Sequence, residues 1–228
     1  MNFIRSLVFN IFIYLGVILA CAFALPLLVL PSSFLRKLAF YLGKYFIFLS
    51  KYILNTKVNI DGTENLKETK TYFIASEHQS MFETFVFNSL IPNNFFILKK
   101  ELLNIPLYGQ CLKKMGCVPI QRGKITKENI NFTDDIKKQV SKGNTLIIFP
   151  QGTRIPYGQV VPLKKGVGRI YSDLNIACIP VKLDTGKVWP KNSFLKYPGE
   201  INIKFEKPIN PGLEMNEFMN RLNNIFYN

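Results

Sequence analysis

The sequence predicts an α/β fold, a mostly parallel sheet covered by helices, preceded by an amino-terminal membrane-embedded two-helix element. Three observations carry this. Past residue 55, short apolar runs alternate with longer amphipathic ones, the rhythm of strands joined by crossover helices. Before it, two long hydrophobic stretches follow one another, and the first acidic residue of the chain is Asp61. The 228 residues are 48% hydrophobic and 14% aromatic, with 20 Phe, which excludes disorder and leaves more apolar surface than one core needs. The expected division is an anchoring segment, 1–54, and a globular domain, 55–228.

No charge interrupts residues 6–35, and 7–30 is apolar apart from Asn10, Gly16 and Pro26. That meets the roughly twenty-residue requirement for crossing a hydrocarbon core. The apolar run continues past the small residues Ala20-Cys21-Ala22, so it reads as a retained membrane segment rather than a cleaved signal. Pro26 and Pro31 break any straight continuous helix, and 34–54 forms a second one. In it Lys37, Lys44 and Lys51 recur every seven residues and share a face, beside Phe40, Tyr41, Tyr45, Ile47 and Phe48. This reads as an interfacial helix with its lysines near lipid phosphates. A spanning first helix and a re-entrant one both leave the rest of the chain on the cytoplasmic face of a cell membrane, as in a bacterial inner membrane.

The expected strands are 71–76, 94–98, 117–121, 145–149, 176–183 and 200–205. Between them lie helices at 80–90, 107–115, 124–141 and 164–174, and a last helix covers 214–226. Residues 191–199 read as a surface loop.

Lys and Arg number 29 against 15 Asp and Glu, a formal charge of +14, so an anionic partner is expected. Nucleic acid is disfavoured, because no recognition module accompanies the charge. Four cysteines without a C-x-x-C, and a single histidine, exclude a disulfide scaffold and a metal site. Cys21, Cys111, Cys117 and Cys178 read as small buried hydrophobes. No phosphate-binding G-x-x-x-x-G-K-[ST] loop and no G-x-G-x-x-G fingerprint occurs.

Open α/β sheets bind ligands beyond the carboxyl ends of their strands, so the residues after each strand are the candidate site. After 71–76 comes Glu77-His78-Gln79-Ser80-Met81-Phe82-Glu83, and after 145–149 comes Pro150-Gln151-Gly152-Thr153-Arg154. His78 is the only histidine, and Glu83 can orient one ring nitrogen and leave the other free as a base. Ser80 lies in no nucleophile elbow and suits helix capping. Gln151-Gly152-Thr153-Arg154 offers freed amides, a hydroxyl and a guanidinium that can grip a phosphate.

Taken in order, these pieces resemble the 1-acyl-sn-glycerol-3-phosphate acyltransferase family with its H-x4-D signature. Four blocks carry the resemblance: His78 to Glu83; Lys99-Lys100-Glu101-Leu102 with Ile105-Pro106-Leu107-Tyr108-Gly109 and Gly116 to Arg122; Phe149 to Arg154; and Ile179-Pro180-Val181. Two positions depart from it. Glu83 replaces the usual aspartate, and Gln151 replaces the glutamate of F-P-E-G-T-R.

The resemblance implies a glycerolipid acyltransferase-like fold and transfer of an acyl group from acyl-CoA or acyl carrier protein to the free hydroxyl of a lysophosphatidic acid, with no cofactor. It makes His78 and Glu83 catalytic and gives the acceptor's phosphate to Lys99, Arg122, Gln151, Gly152, Thr153 and Arg154. Membrane lipids and a lysophospholipid are the implied partners. Two other readings stay open: another lysophospholipid or an aminolipid as acceptor, and a non-catalytic lipid-binding protein on the same fold.

Overall fold

The computed structural model describes residues 2–121 and 132–228. Helix α1 (Asn2–Leu27) contains Pro26, whose missing amide leaves one gap in the helical ladder, and ends one residue later. The chain turns through residues 28–31 into α2 (Ser32–Tyr52). The pair is antiparallel: the Tyr45 hydroxyl donates to the Phe12 carbonyl, and Ala24 packs with Leu35. Only α1 is long and apolar enough to cross a membrane among the described residues. Its outward side exposes Phe3, Ile4, Ile11, Ile18 and Phe23, a continuous apolar face of the kind that marks a membrane or protein contact. Lys37, Lys44 and Lys51 are all exposed on α2, with Phe40, Tyr41 and Phe48 exposed beside them.

The other sides of both helices belong to the main core. Phe9, Ile13, Phe46 and Leu49 join the same buried cluster as the sheet. Helix α2 lies close on α3 (Phe82–Leu90) because Gly43 has no side chain there; a Cβ would come 2.7 Å from the Phe85 carbonyl oxygen.

Among the described residues seven strands follow: β1 (Thr56–Asp61), β2 (Tyr72–Ser76), β3 (Asn94–Lys99), β4 (Val118–Ile120), β5 (Thr145–Ile148), β6 (Ala177–Leu183) and β7 (Gly199–Phe205). Their order is β1-β7-β6-β2-β5-β3-β4, and every neighbouring pair is parallel except β6 and β7. The central strands are buried almost throughout, as parallel strands covered on both faces must be. The helices after α3 are α4 (Tyr108–Lys114), α5 (Phe132–Ser141), α6 (Gly166–Leu174) and α7 (Met215–Tyr227). The expected helix over 124–141 is α5 from Phe132 onward; its earlier part and Arg122 lie outside the described residues.

One expectation needs correction and one needs an addition. Strand β1 was not among the expected strands: Thr56–Asp61 alternates Val58 and Ile60 with polar residues, and it is an edge strand paired only with β7. Residues 191–198 form a surface loop as expected, but one that is tied down rather than loose. The Lys196 amide donates to Ser6 Oγ at 2.8 Å, Asn10 Nδ2 donates to the Phe194 carbonyl at 3.1 Å, and Trp189, just before, meets Phe9 edge-on. The segment therefore ties α1 to the globular part through the polar side chains that interrupt its apolar run.

Candidate active site

Strand β2 lies between β5 and β6, so the carboxyl ends of three adjacent parallel strands converge beside His78. The turn from β2 into α3 is built around Glu83. Ser80 Oγ accepts from the Phe82 amide, and the Ser80 amide donates to Glu83 Oε1 at 2.7 Å, the backward reach of a capping-box glutamate. The same oxygen accepts from the Gln79 amide at 2.7 Å and from His78 Nδ1 at 2.9 Å. Glu83 Oε2 accepts from Ser80 Oγ and Thr185 Oγ1, both at 2.8 Å. One fully buried carboxylate thus fixes the turn before the helix and orients the imidazole. Burial pushes its pKa up, but the His78 hydrogen bond, the His78 charge and the backbone amides prevail and hold it below the ordinary value.

An ionised carboxylate only accepts, so Nδ1 of His78 carries a proton, and in the neutral ring the lone pair is on Nε2. The ring stacks on Phe149 at 4.0 Å between centroids, and 16% of the side chain stays exposed. Its backbone is held as well: the His78 amide donates to Gln151 Oε1, and the Ile155 amide donates to the His78 carbonyl, both at 2.7 Å. Gly152 makes this possible. Its φ of 74° lies in the left-handed region, which turns the segment after β5 back toward His78.

His78 opens onto a cavity of about 720 Å³. Its walls include the polar residues Lys99, Gln121 and Lys164 and are otherwise mainly apolar, with Phe85, Leu42, Leu38, Val17 and Ala20 from α3, α2 and α1. Cys21 and Cys111 also line it, half-buried, so these two are cavity wall rather than core. Cys117 and Cys178 are buried as expected, although Cys117 also borders the cavity; burial pushes it up to about 11, which leaves it a poor nucleophile.

The expected site residues divide into three groups. His78, Lys99 and Gly152 share the cavity, with Glu83 behind the ring; Lys99 also pairs with Glu101 at 3.4 Å. Gln151 is 4% exposed and turned inward onto the His78 amide, away from the cavity. Thr153 is exposed and Arg154 half-buried on the next turn, and neither lines the cavity. Lys164 is the residue that the sequence reading passed over. Its amide donates to the Pro150 carbonyl, and its side chain lies across Gly152. A sequence signal was present: Lys164 and Lys165 stand at the start of α6, where the helix dipole disfavours cations unless an anion accompanies them.

Glu77 precedes His78 and faces the other way, 8% exposed, accepting from the Leu183 amide at 3.0 Å. Burial raises its pKa from 4.5 to about 7, against the opposing pull of the Leu183 amide and Lys182. A carboxyl raised on folding stabilises most below its unfolded pKa, and that contribution is lost as pH rises through the folded one. Glu77→Gln is therefore expected to gain on the order of 2 kcal/mol over the wild type at about pH 8 and little at about pH 5. Urea melts at the two pH values measure this; an equal difference at both would exclude Glu77 as the titrating group.

A lone imidazole oriented by a buried carboxylate thus stands at the end of a central parallel strand and lines a mainly apolar cavity. The chain belongs to the acyltransferase family, whose model matches residues 57–184. It is 30% identical over 160 residues to a 1-acyl-sn-glycerol-3-phosphate acyltransferase of Pseudomonas aeruginosa, covering 70% of this chain and 62% of that protein. It is also 30% identical over 188 residues to a chloroplastic 1-acyl-sn-glycerol-3-phosphate acyltransferase of Arabidopsis thaliana, covering 81% of this chain and 52% of that one. The chain thus spans under two thirds of the length of these relatives. Its fold is that of the crystal structure of the 1-acyl-sn-glycerophosphate acyltransferase PlsC from Thermotoga maritima, with a TM-score of 0.82 at 22% identity, over 100% of this chain and 95% of that one.

Proposed function

We propose that this protein transfers an acyl group from an acyl thioester, acyl-CoA or acyl carrier protein, to the free hydroxyl of 1-acyl-sn-glycerol-3-phosphate, giving phosphatidic acid. The observation that carries the reading is the His78–Glu83 pair at the mouth of an apolar cavity of about 720 Å³. Nε2 of His78 removes the hydroxyl proton as the oxygen attacks the thioester carbonyl. The tetrahedral intermediate collapses with loss of thiolate, which takes the proton from the imidazolium and leaves as thiol. No covalent acyl-enzyme is needed. The apolar cavity suits an acyl chain, whose burial favours binding at about 0.8 kcal/mol per methylene.

The acceptor's phosphate calls for cations near His78. Lys164 meets this need best, because it lines the cavity beside Gly152 and stands next to the amino terminus of α6. Lys99 stands on the same rim, and Arg154 one residue from the Ile155 amide that holds His78. Lys164→Ala is expected to raise KM for lysophosphatidic acid about thirtyfold, and Arg154→Ala by less, since a hydrogen bond to a charged group is worth roughly 2 kcal/mol. KM for a monoacylglycerol, which lacks the phosphate, should stay near its wild-type value in both. Equal losses for both acceptors would remove the anchor role.

Residues 1–54 serve as the membrane anchor and 55–228 as the acyltransferase domain. The exposed apolar face of α1 and the lysines of α2 suit a bilayer whose phosphates lie level with those lysines, and the catalytic domain is on the cytoplasmic side. An acceptor with its chain in that bilayer then reaches His78 without leaving the lipid. The direct test incubates membranes containing the protein with labelled acyl donors and several lysolipids, and identifies products by mass spectrometry. Phosphatidic acid as the main product supports the reading; preferential acylation of another lysolipid overturns the acceptor assignment.

A further inference from the structure

We propose that Tyr227 is a positioning residue for His78, acting through Gln151; the inference rests on the reading of His78 as the general base. The Gln151 amide nitrogen Nε2 donates to the Tyr227 hydroxyl oxygen at 3.1 Å, while Gln151 Oε1 accepts from the His78 amide at 2.7 Å. This direction is forced. The His78 amide is only a donor, so the side-chain oxygen must face it and the NH₂ must face the tyrosine.

The hydroxyl is held by a buried helix face rather than by a loose tail. Phe218 and Leu222 are fully buried on α7, Phe226 is nearly so, and Phe218 stacks on Tyr171 at 4.0 Å. Gln151 is itself buried, with three side-chain torsions to fix. The bond to Tyr227 selects the rotamer in which Oε1 meets the His78 amide. His78 is then held at its ring by Glu83, at its carbonyl by Ile155 and at its amide by Gln151. Displacements of an ångström at a general base cost orders of magnitude in rate, so the third restraint acts on catalysis.

A phenol hydroxyl can also reverse. Facing an amide NH₂ it accepts; facing a carboxylate it would donate. Tyr227 can therefore serve either residue at position 151, and its importance should depend on which is there. With a buried carboxylate, losing the hydroxyl strips a donor from a charge, which costs more than losing an acceptor from an amide.

The experiment is a double-substitution cycle on the full-length enzyme, with kcat, KM and melting temperature measured throughout. Tyr227→Phe alone is expected to lower kcat about fivefold, and the same change in a Gln151→Glu background about thirtyfold. KM for donor and acceptor should stay within about twofold. Because His78 is the only histidine, its imidazole NMR signals need no assignment, and Tyr227→Phe should shift them. Wild-type kcat with unmoved imidazole signals in Tyr227→Phe would overturn the proposal, as would equal effects in the two backgrounds. The NMR arm does not depend on turnover. Shifted signals in a protein that transfers no acyl group would sink the acyltransferase reading and leave the structural relay standing.

Discussion

Replacing His78 with alanine is expected to lower acyl transfer by about three orders of magnitude while the protein stays folded and membrane-associated. The size follows from the lack of a substitute among the described residues. Tyr108 and Cys117 also line the cavity, but burial pushes Tyr108 up to about 12 and Cys117 to about 11, so both keep their protons at neutral pH. Glu83 is saturated with donors and fully buried, so it cannot reach a substrate hydroxyl. The fold should survive because alanine keeps the amide bond to Gln151 and the carbonyl bond from Ile155, and Glu83 retains its other donors. Turnover with labelled donor, read beside circular dichroism melts and membrane flotation, measures the separation. A variant that keeps turnover would remove imidazole catalysis from the account.

The parts of this site that were legible in the sequence are those fixed by local rules. Runs such as Phe73-Ile74-Ala75 and Ile179-Pro180-Val181 are apolar throughout and buried, so the strands and the rim that follows them could be read together. The His78 to Glu83 turn was legible because it closes within five residues.

What escaped depends on where a turn aims its side chains. Gln151 follows a strand and precedes a left-handed glycine, and that geometry sends it inward to an amide 73 positions earlier. The same turn carries Ile155 to His78 and leaves Arg154 off the cavity lining. Tyr227 lies 76 residues from Gln151, and nothing in its neighbourhood marks it as more than the end of an amphipathic helix. Ser80 and Glu83 carried a further readable signal, an S-x-x-E spacing that brings the Ser80 amide onto the Glu83 carboxylate.

That double duty makes Glu83→Gln the most informative second substitution. Gln can place its oxygen where Oε1 now meets Gln79, Ser80 and His78, which turns its NH₂ toward Ser80 Oγ and Thr185 Oγ1. Thr185 can rotate to accept. Ser80 Oγ already accepts from the Phe82 amide, so its proton loses an acceptor, at a cost of about 1–2 kcal/mol in stability. The larger effect is on rate. The imidazolium formed during proton transfer loses the charge that stabilises it, and kcat should fall about a hundredfold with acceptor KM near wild type.

Stability against pH gives an independent reading. Glu83 has its pKa lowered on folding, so its contribution is present above its unfolded pKa and is lost as pH falls through the folded one. The glutamine variant should lack that part of the acid destabilisation. Urea melts at neutral pH and near pH 4 therefore separate the two roles: the variant should be weaker than wild type at neutral pH, with the gap narrowing in acid. A raised acceptor KM with unchanged kcat, or a gap that stays constant across that range, would mean that the buried carboxylate neither steers the imidazole nor carries its charge in the fold.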